Sequence, residues 1–151
     1  MNIFTSTHVV KVDAKGRACV PAPFRTALSS DPFTGFVGIR SHYLPAIEGY
    51  PSARMEMISR QFDLGHQIFS EDYDDLATAI FGGAISMPMD ETGRIVIPRE
   101  LLAFANIKDK AAFMGMGPKF QIWNADDLES RLIQARDIAK KKNLMVPWSR
   151  S

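Results

Sequence analysis

Two aspartate–arginine pairs with the same spacing are the residues of this chain whose types and positions could do chemistry. Arg17 follows Asp13 by four positions, and Arg94 follows Asp90 by four positions. The planar donor fork of an arginine matches a phosphate or the O6 and N7 atoms of guanine, so these pairs could contact a nucleic acid. A single such motif is more typical of a solvated turn with a weak ion pair, worth about 0–1 kcal/mol. Both interpretations are compatible, because an aspartate can orient an arginine without touching DNA itself.

The two pairs lie in a segment that the chain contains twice, 77 positions apart. Residues 12–21 and 89–98 both follow the pattern apolar-Asp-x-x-Gly-Arg-x-x-apolar-Pro. Apolar residues flank each turn, which predicts a strand, a turn and a second strand. The aspartate can bond nearby backbone amides, and the glycine accepts the positive φ that such a turn requires. The residues expected to shape the turns and orient the arginines are Asp13, Gly16, Asp90 and Gly93.

Short strands and helices that recur in the same order must position these turns. A proline ends each motif and suits the first turn of a helix, which predicts short helices over 22–28 and 99–105. Four short strands per half cannot bury both of their faces, so the halves are predicted to pack as one pseudo-twofold barrel. The predicted units are residues 1–85 and 86–151. The further strands are predicted at 36–39, 46–47, 112–116 and 120–123.

Longer helices are predicted to flank these strands and to give an α+β fold that is mainly β. Residues 53–61 and 71–81, the second capped by Ser70, are predicted to form a helical hairpin. A last helix is predicted to begin at Asn124 and to end in lysines 140–142, which suits the helix dipole. Residues 143–151 show no periodicity and are predicted to be a loose tail.

The charge of the chain is locally segregated. The formal net charge of the 151 residues is only +1, so attraction to DNA must come from clustering or assembly. Residues 11–25 carry a net charge of +3, whereas residues 61–86 carry −5. We therefore expect the surface with the two turns to meet DNA, while the acidic hairpin faces away or contacts a neighbouring subunit. The residues predicted to contact DNA are Lys11, Lys15, Arg17 and Arg94.

Other chemistry has little support in the sequence. The three histidines and Cys19 lack metal-ligand spacing, and no nucleophile elbow or phosphate loop is present. We therefore expect no catalysis, no metal and no cofactor. A single cysteine and the lack of a long apolar run favour a cytoplasmic, soluble protein. Apolar side chains beyond the needs of a small barrel are equally compatible with core positions and with subunit contacts: Met55, Met57, Phe62, Phe69, Phe81 and Phe104.

The segment VDAKGRACVPAPFR at 12–25, repeated as MDETGRIVIPREL at 89–101, resembles the MraZ family in length, duplication and the double Asp-x-x-x-Arg motif. The resemblance covers nearly the whole chain. It implies a swapped-hairpin barrel of the AbrB type and a transcriptional regulator associated with the nucleoid. It also implies ring-like homo-oligomers that bind repeated elements of double-stranded DNA upstream of cell wall and division genes.

Two features depart from the repeated pattern, one in the second turn and one in a strand of the first half. Thr92 stands where the first copy has Lys15, which lowers the positive charge of the second turn, so we expect the first turn to contribute more to DNA binding. Glu48 and Gly49 interrupt the apolar strand before Tyr50 and leave its length open. The alternative functions are an AbrB-like protein-interaction module or antitoxin and, third, a small enzyme.

Overall fold

The computed structural model describes residues 3–65 and 70–148. The element order β-β-α-β-β occurs twice, with two helices between the copies and one after the second. The first copy consists of β1 (Thr7–Lys11), β2 (Arg17–Cys19), α1 (Ala22–Leu28), β3 (Gly35–Arg40) and β4 (Ile47–Tyr50). Then come α2 (Ser52–Gly65) and α3 (Glu71–Ala77), which continues as a π-helical turn (Thr78–Gly82). The rest comprises β5 (Ile85–Pro88), β6 (Arg94–Val96), α4 (Arg99–Phe104), β7 (Lys110–Gly115), β8 (Phe120–Asn124) and α5 (Ala125–Lys141).

The strands of the two copies interleave. Six antiparallel strands form a sheet in the order β1-β7-β8-β4-β3-β5, and β2 pairs with β6 in a separate ribbon. Thus β1 of the first copy lies beside β7 of the second, and β5 of the second lies beside β3 of the first. The counterparts in the two copies are β1 and β5, β3 and β7, and β4 and β8. Exchanging every strand of the sheet for its counterpart gives the same order read from the opposite edge. The predicted α+β class is confirmed, and the eight described strands are compatible with the expectation that the fold is mainly β.

The strand pairing does not close a barrel. Within the described residues the six-stranded order ends at β1 and β5, and these two strands are not paired. The ribbon lies apart from this sheet because β2 and β6 are only three residues long and pair only with each other. Pro21 and Pro98 follow them closely and have no N–H to extend a ladder.

One face of the sheet holds the main core. Side chains alternate along the strands, so Phe36, Phe113 and Phe120 point to one face, where the ribbon, α1 and α4 cover them. The ring of Phe120 lies 4.9 Å from that of Phe4 and 5.3 Å from that of Phe24. Burying these rings together stabilises the fold, because aromatic side chains bury large apolar areas.

Strand β4 runs through Glu48 and Gly49, the residues that left its length open. A Cβ at Gly49 would approach the ring of Phe120 to 2.4 Å, so the glycine leaves room for that ring. Glu48 points to the other face, is 5% exposed and accepts hydrogen bonds from Lys119 and Gln121. Both departures from the apolar pattern therefore have partners on neighbouring strand β8 or just before it.

The helices agree with most expectations. Ser70 caps α3 by accepting a hydrogen bond from the backbone of Tyr73, and Asn124 caps α5 in the same way through Asp126 and Asp127. The helix predicted over 71–81 changes to π geometry at Thr78. Of the predicted tail, residues 143–148 contain no helix or strand, and residues 149–151 lie outside the described residues. No helix in the described part of the chain is long and apolar enough to cross a membrane.

The apolar side chains whose role was open divide between core and surface. Phe62 is buried, with its ring 4.9 Å from that of Tyr73 and 5.6 Å from that of Phe81, which joins α2 to the helix that follows it. Met57 is 50% exposed on α2. Phe69 and His66 lie outside the described residues.

Candidate nucleic-acid interface

The first turn is organised by the carboxylate of Asp13. Its Oδ1 accepts hydrogen bonds from the backbone N–H groups of Lys15 and Arg17, both at 2.9 Å. Its Oδ2 accepts from Nε of Arg17 at 2.6 Å. The backbone closes the turn, since N–H of Gly16 donates to the Asp13 carbonyl and Gly16 has a φ of +80°. The guanidinium is held through Nε, and its terminal nitrogens make no hydrogen bond to a described residue.

The second turn repeats this arrangement with a looser arginine. Oδ1 of Asp90 accepts from the backbone of Thr92 and Arg94, both at 2.9 Å, and from the Thr92 hydroxyl at 2.7 Å. Nε of Arg94 lies 3.4 Å from Oδ2 of Asp90, compared with 2.6 Å in the first turn. Thr92 therefore places a hydroxyl on the carboxylate where the first copy has the exposed ammonium of Lys15.

Hydrogen bonds hold both carboxylates in their charged form. The backbone N–H of Arg94, followed by the Thr92 hydroxyl, lowers the pKa of Asp90 to about 2. The backbone N–H of Arg17, followed by its side chain, lowers the pKa of Asp13 below its ordinary value. Each turn therefore presents a cation fixed by an anion, and the aspartate directs the arginine.

The two turns hold each other in place. The carbonyl of Gly16 accepts a hydrogen bond from the backbone of Ile97 at 2.8 Å, and the carbonyl of Gly93 accepts from Val20 at 2.9 Å. Each glycine is thus tied to the strand of the other copy. Because these bonds are reciprocal, a shift of one turn must disturb the other.

Both arginines project from the outer face of the ribbon. Ala18 and Ile95 are buried, so the alternating side chains of Arg17 and Arg94 face solvent. Arg17 lies opposite Val96, two residues from Arg94, which makes the arginines diagonal neighbours about 7–8 Å apart at Cα. They line one surface pocket together. The structure therefore brings together two residues that are 77 positions apart in the chain.

The basic residues around the first turn are not equally available. Lys11 and Lys15 are exposed, as is expected of DNA contacts. Arg25, counted in the charge of residues 11–25, is half-buried and donates from Nη1 to the Val20 carbonyl at 2.8 Å. A Cβ on Gly93 would meet the Arg25 side chain at 2.4 Å, so this arginine supports the second turn from beneath.

One basic residue beside the candidate interface is missed by sequence reasoning. Lys110 lies directly opposite Lys11 in the pairing of β1 with β7. It is distant from the motif in sequence, and only the exchange of strands between the copies brings it there. Knowledge that β1 pairs with β7 of the second half, and in which register, would have identified Lys110.

The acidic helix lies on the other face of the sheet from the ribbon. Leu76 of α3 and Ile80 of the π-helical turn line a pocket with Glu48 and Gln121, whose side chains point away from the main core. The turn arginines of the ribbon and the acidic helix therefore lie on opposite sides of the sheet. Among residues 3–65 and 70–148, no group of three or more His, Cys, Asp or Glu side chains is placed to hold a metal ion.

Comparisons with known proteins agree on one family. A family model described as "MraZ protein, putative antitoxin-like" matches residues 80–145. A protein of Gluconacetobacter diazotrophicus named transcriptional regulator MraZ is 39% identical over 150 residues, covering 97% of this chain and 93% of the relative. Proteins of the same name from Gluconobacter oxydans and Rickettsia typhi are 38% and 35% identical, covering 93% and 97% of this chain. The duplicated turns and these full-length similarities show that the chain belongs to the MraZ family of transcriptional regulators.

Proposed function

We propose that this protein binds double-stranded DNA in a sequence-specific manner through the outer face of its β2–β6 ribbon, and regulates transcription by doing so. The observation that carries the proposal is the shared outer face of Arg17 and Arg94, each fixed by an aspartate with its terminal donors free toward solvent. A two-stranded ribbon fits the major groove of B-DNA. The role is regulatory rather than catalytic.

The roles of the side chains follow from their geometry. Arg17 and Arg94 contact guanine O6 and N7, an interaction worth about 1–3 kcal/mol of discrimination per good pair. Asp13 and Asp90 orient them, while Gly16 and Gly93 permit the turns. Lys15 and Lys11 neutralise phosphates, which carries affinity but no sequence information. The proposed DNA-binding and orienting residues are Lys11, Asp13, Lys15, Gly16, Arg17, Asp90, Gly93 and Arg94.

The proposal extends to the architecture and the assembly. Residues 1–85 and 86–151 are two AbrB-like repeats that together make one swapped-hairpin, barrel-like unit, which the interleaved strand order supports. Ring-like homo-oligomers bind repeated elements upstream of the protein's own cell wall and division operon. Binding of one subunit to the first DNA element holds the other subunits close to the remaining elements. The later binding steps are then intramolecular, so several weak contacts give a high overall affinity. The protein acts in the cytoplasm, on the nucleoid.

A titration of labelled DNA tests this function. Wild type and Arg17→Ala are titrated against the protein's own upstream region and a scrambled control, at two salt concentrations. Wild type is expected to prefer the upstream DNA, and Arg17→Ala is expected to lose that preference while eluting as the same oligomer. If wild type binds neither DNA above background, or the variant matches wild type, the turns are structural only.

A protein-interaction module of the AbrB or antitoxin type is the second candidate. The observation that favours it is a run of exposed apolar side chains after α5, where Met145 is 78% and Trp148 82% exposed. Partner-binding tails commonly have this character because they fold on binding. The test compares the wild-type chain with a chain that lacks residues 143–151. Binding to upstream DNA by both chains would favour the regulator. Binding no stronger than background by both chains would favour this module.

A further inference from the structure

The first turn is flanked by lysines that have no counterparts beside the second turn. Lys11 and Lys110 lie directly opposite each other, and Lys108 precedes the latter by two residues. We propose that Lys110, with Lys11 and Lys108, forms a phosphate-contacting extension of the interface beside the first turn. This first-turn lysine cluster (Lys11, Lys108 and Lys110) rests on the proposed DNA binding and adds to it a contact from the second half of the chain.

The backbone places the cluster next to the arginine. The N–H of Val12 donates to the Asp109 carbonyl at 2.8 Å, which fixes the end of β7 against the start of the turn. Val12 is buried in the main core, so the side chain of Lys11, the last residue of β1, points to the other face of the sheet at its edge. Lys11 is thus about 7 Å along the chain from the aspartate that holds Arg17. The exposed lysines at the end of β1 and the start of β7 are thereby close enough to the first turn to meet phosphates that border a ribbon in the groove.

The strand pairing places two like charges opposite each other. Directly opposed residues of an antiparallel pair have their Cβ atoms about 4.5–5.5 Å apart, and like charges at such positions destabilise the pair. No ion pair within 4.0 Å involves any of the three lysines among the described residues, although Asp109 and Asp126 line a pocket with Lys108 and Lys110. A phosphate backbone would pair with these lysines, and releasing its counterions adds to affinity.

The strand register identifies the counterparts in the other half. Pro88 pairs with Gly35 as Lys11 pairs with Lys110, and N–H of Met89 donates to the Thr34 carbonyl as Val12 does to Asp109. Thr34 therefore corresponds to Asp109, and the residue before it, Phe33, corresponds to Lys108. The pseudo-twofold surface is therefore basic on the side of the first turn and uncharged at the matching positions of the second.

The test is the salt dependence of DNA binding. Dissociation constants of wild type, Lys110→Gln and Lys11→Gln/Lys110→Gln are measured from low to moderate salt on upstream and scrambled DNA. Each lost phosphate contact is expected to reduce the log–log slope by about 0.9 per protomer and to weaken both DNAs alike, which leaves the preference intact. Arg60→Gln is the matched control, because it removes a charge from an α2 side chain that is 75% exposed.

The outcomes separate this inference from the function on which it rests. If wild type binds DNA and Arg17→Ala loses its preference, but Lys110→Gln and the double variant keep the wild-type slope, the lysine cluster is not a DNA contact. If Arg60→Gln lowers the slope as much as Lys110→Gln does, the effect is general charge and the inference is also wrong. If wild type does not bind DNA, both proposals fail together. Thermal unfolding of Lys110→Gln at or above the wild-type midpoint excludes misfolding as the cause.

Discussion

At each turn a single carboxylate binds both the backbone of the turn and the side chain of the arginine. One oxygen of Asp13 binds two backbone N–H groups, and the other binds Nε of Arg17. The ion pair is therefore inseparable from the backbone geometry of the turn. The exposed pair contributes little to stability by itself, but it fixes the direction of a guanidinium that is 45% exposed. The same contacts suit a structural turn and a DNA-contacting arginine, so residue types alone left both interpretations open.

The pKa of Asp90 is expected to depend on Thr92. Thr92→Val removes the hydroxyl hydrogen bond, so the pKa of Asp90 should rise from about 2 toward the ordinary value of 3.8. Because the folded-state pKa is lowered, the stabilisation by this carboxylate is complete above about pH 3.8 and is lost as the pH falls toward 2. Titration of the side-chain carboxyl carbons by NMR measures this, with Asp13 as the in-chain reference that the substitution leaves unchanged. An Asp90 pKa identical in both chains contradicts the role given to Thr92.

The ribbon shows how short elements can be placed with accuracy. Three-residue strands have little stability of their own, but the reciprocal hydrogen bonds from Val20 and Ile97 to the turn glycines fasten each to the other copy. Proline then ends each strand and starts the helix that covers it. These elements are the ones that the sequence predicts best, because aspartate, glycine and proline each impose a specific backbone geometry.

Substitution of Gly16 by alanine is expected to destabilise the fold more than the same change at Gly117. Both glycines have a φ of +80°, but a Cβ at Gly16 would approach the Ile97 carbonyl oxygen to 2.5 Å, whereas nothing lies within 4 Å at Gly117. Left-handed backbone costs a non-glycine residue about 1–2 kcal/mol, so Gly117→Ala measures that cost alone. Urea unfolding gives the free energies of unfolding. Equal losses of unfolding free energy in the two variants would show that the Ile97 backbone shifts to make room for the new methyl group.

Other elements could not be predicted from the sequence. The change to π geometry at Thr78 leaves the spacing of Leu76 and Ile80 intact, so helical periodicity gives no sign of it. The polar Glu48 makes β4 look shorter than it is, because its partners Lys119 and Gln121 are more than 70 positions away. Local patterns define elements, whereas long-range pairing decides which departures from a pattern are tolerated.

At the scale of the whole molecule, the two halves are joined by strand exchange and by one buried polar network. Oε1 of Glu48 accepts from Nζ of Lys119 at 2.6 Å, and Oε2 accepts from Nε2 of Gln121 at 2.6 Å, while Trp123 donates to Gln121. Burial alone would lower the pKa of Lys119, but its hydrogen bond to Glu48 and the charge of that residue raise it. The duplication in sequence predicts two similar halves. It does not predict the open strand order, nor that Lys11 meets Lys110, since both depend on register.

Removing buried Glu48 from its ion pair with half-buried Lys119 is expected to cost more than removing both side chains. Glu48→Leu leaves the ammonium of Lys119 without its counter-ion and should lower the free energy of unfolding by about 3 kcal/mol. Glu48→Leu/Lys119→Leu removes both charges and should recover at least about 1 kcal/mol of that loss. Urea unfolding of wild type and the variants, including Lys119→Leu alone, completes the cycle. Additive losses would mean that the two side chains do not stabilise each other.

The most direct test of the central claim is whether the turn arginines discriminate between DNA sequences through their planar forks. Arg17→Lys and Arg94→Lys keep the charge but lose the bidentate geometry, so they separate base recognition from attraction to phosphate. The ratio of dissociation constants for scrambled and upstream DNA is measured for each variant at one salt concentration. The proposed DNA recognition predicts that the ratio falls at least about fivefold while binding to scrambled DNA is unchanged. A ratio equal to that of wild type in both variants would contradict recognition of DNA by these turns.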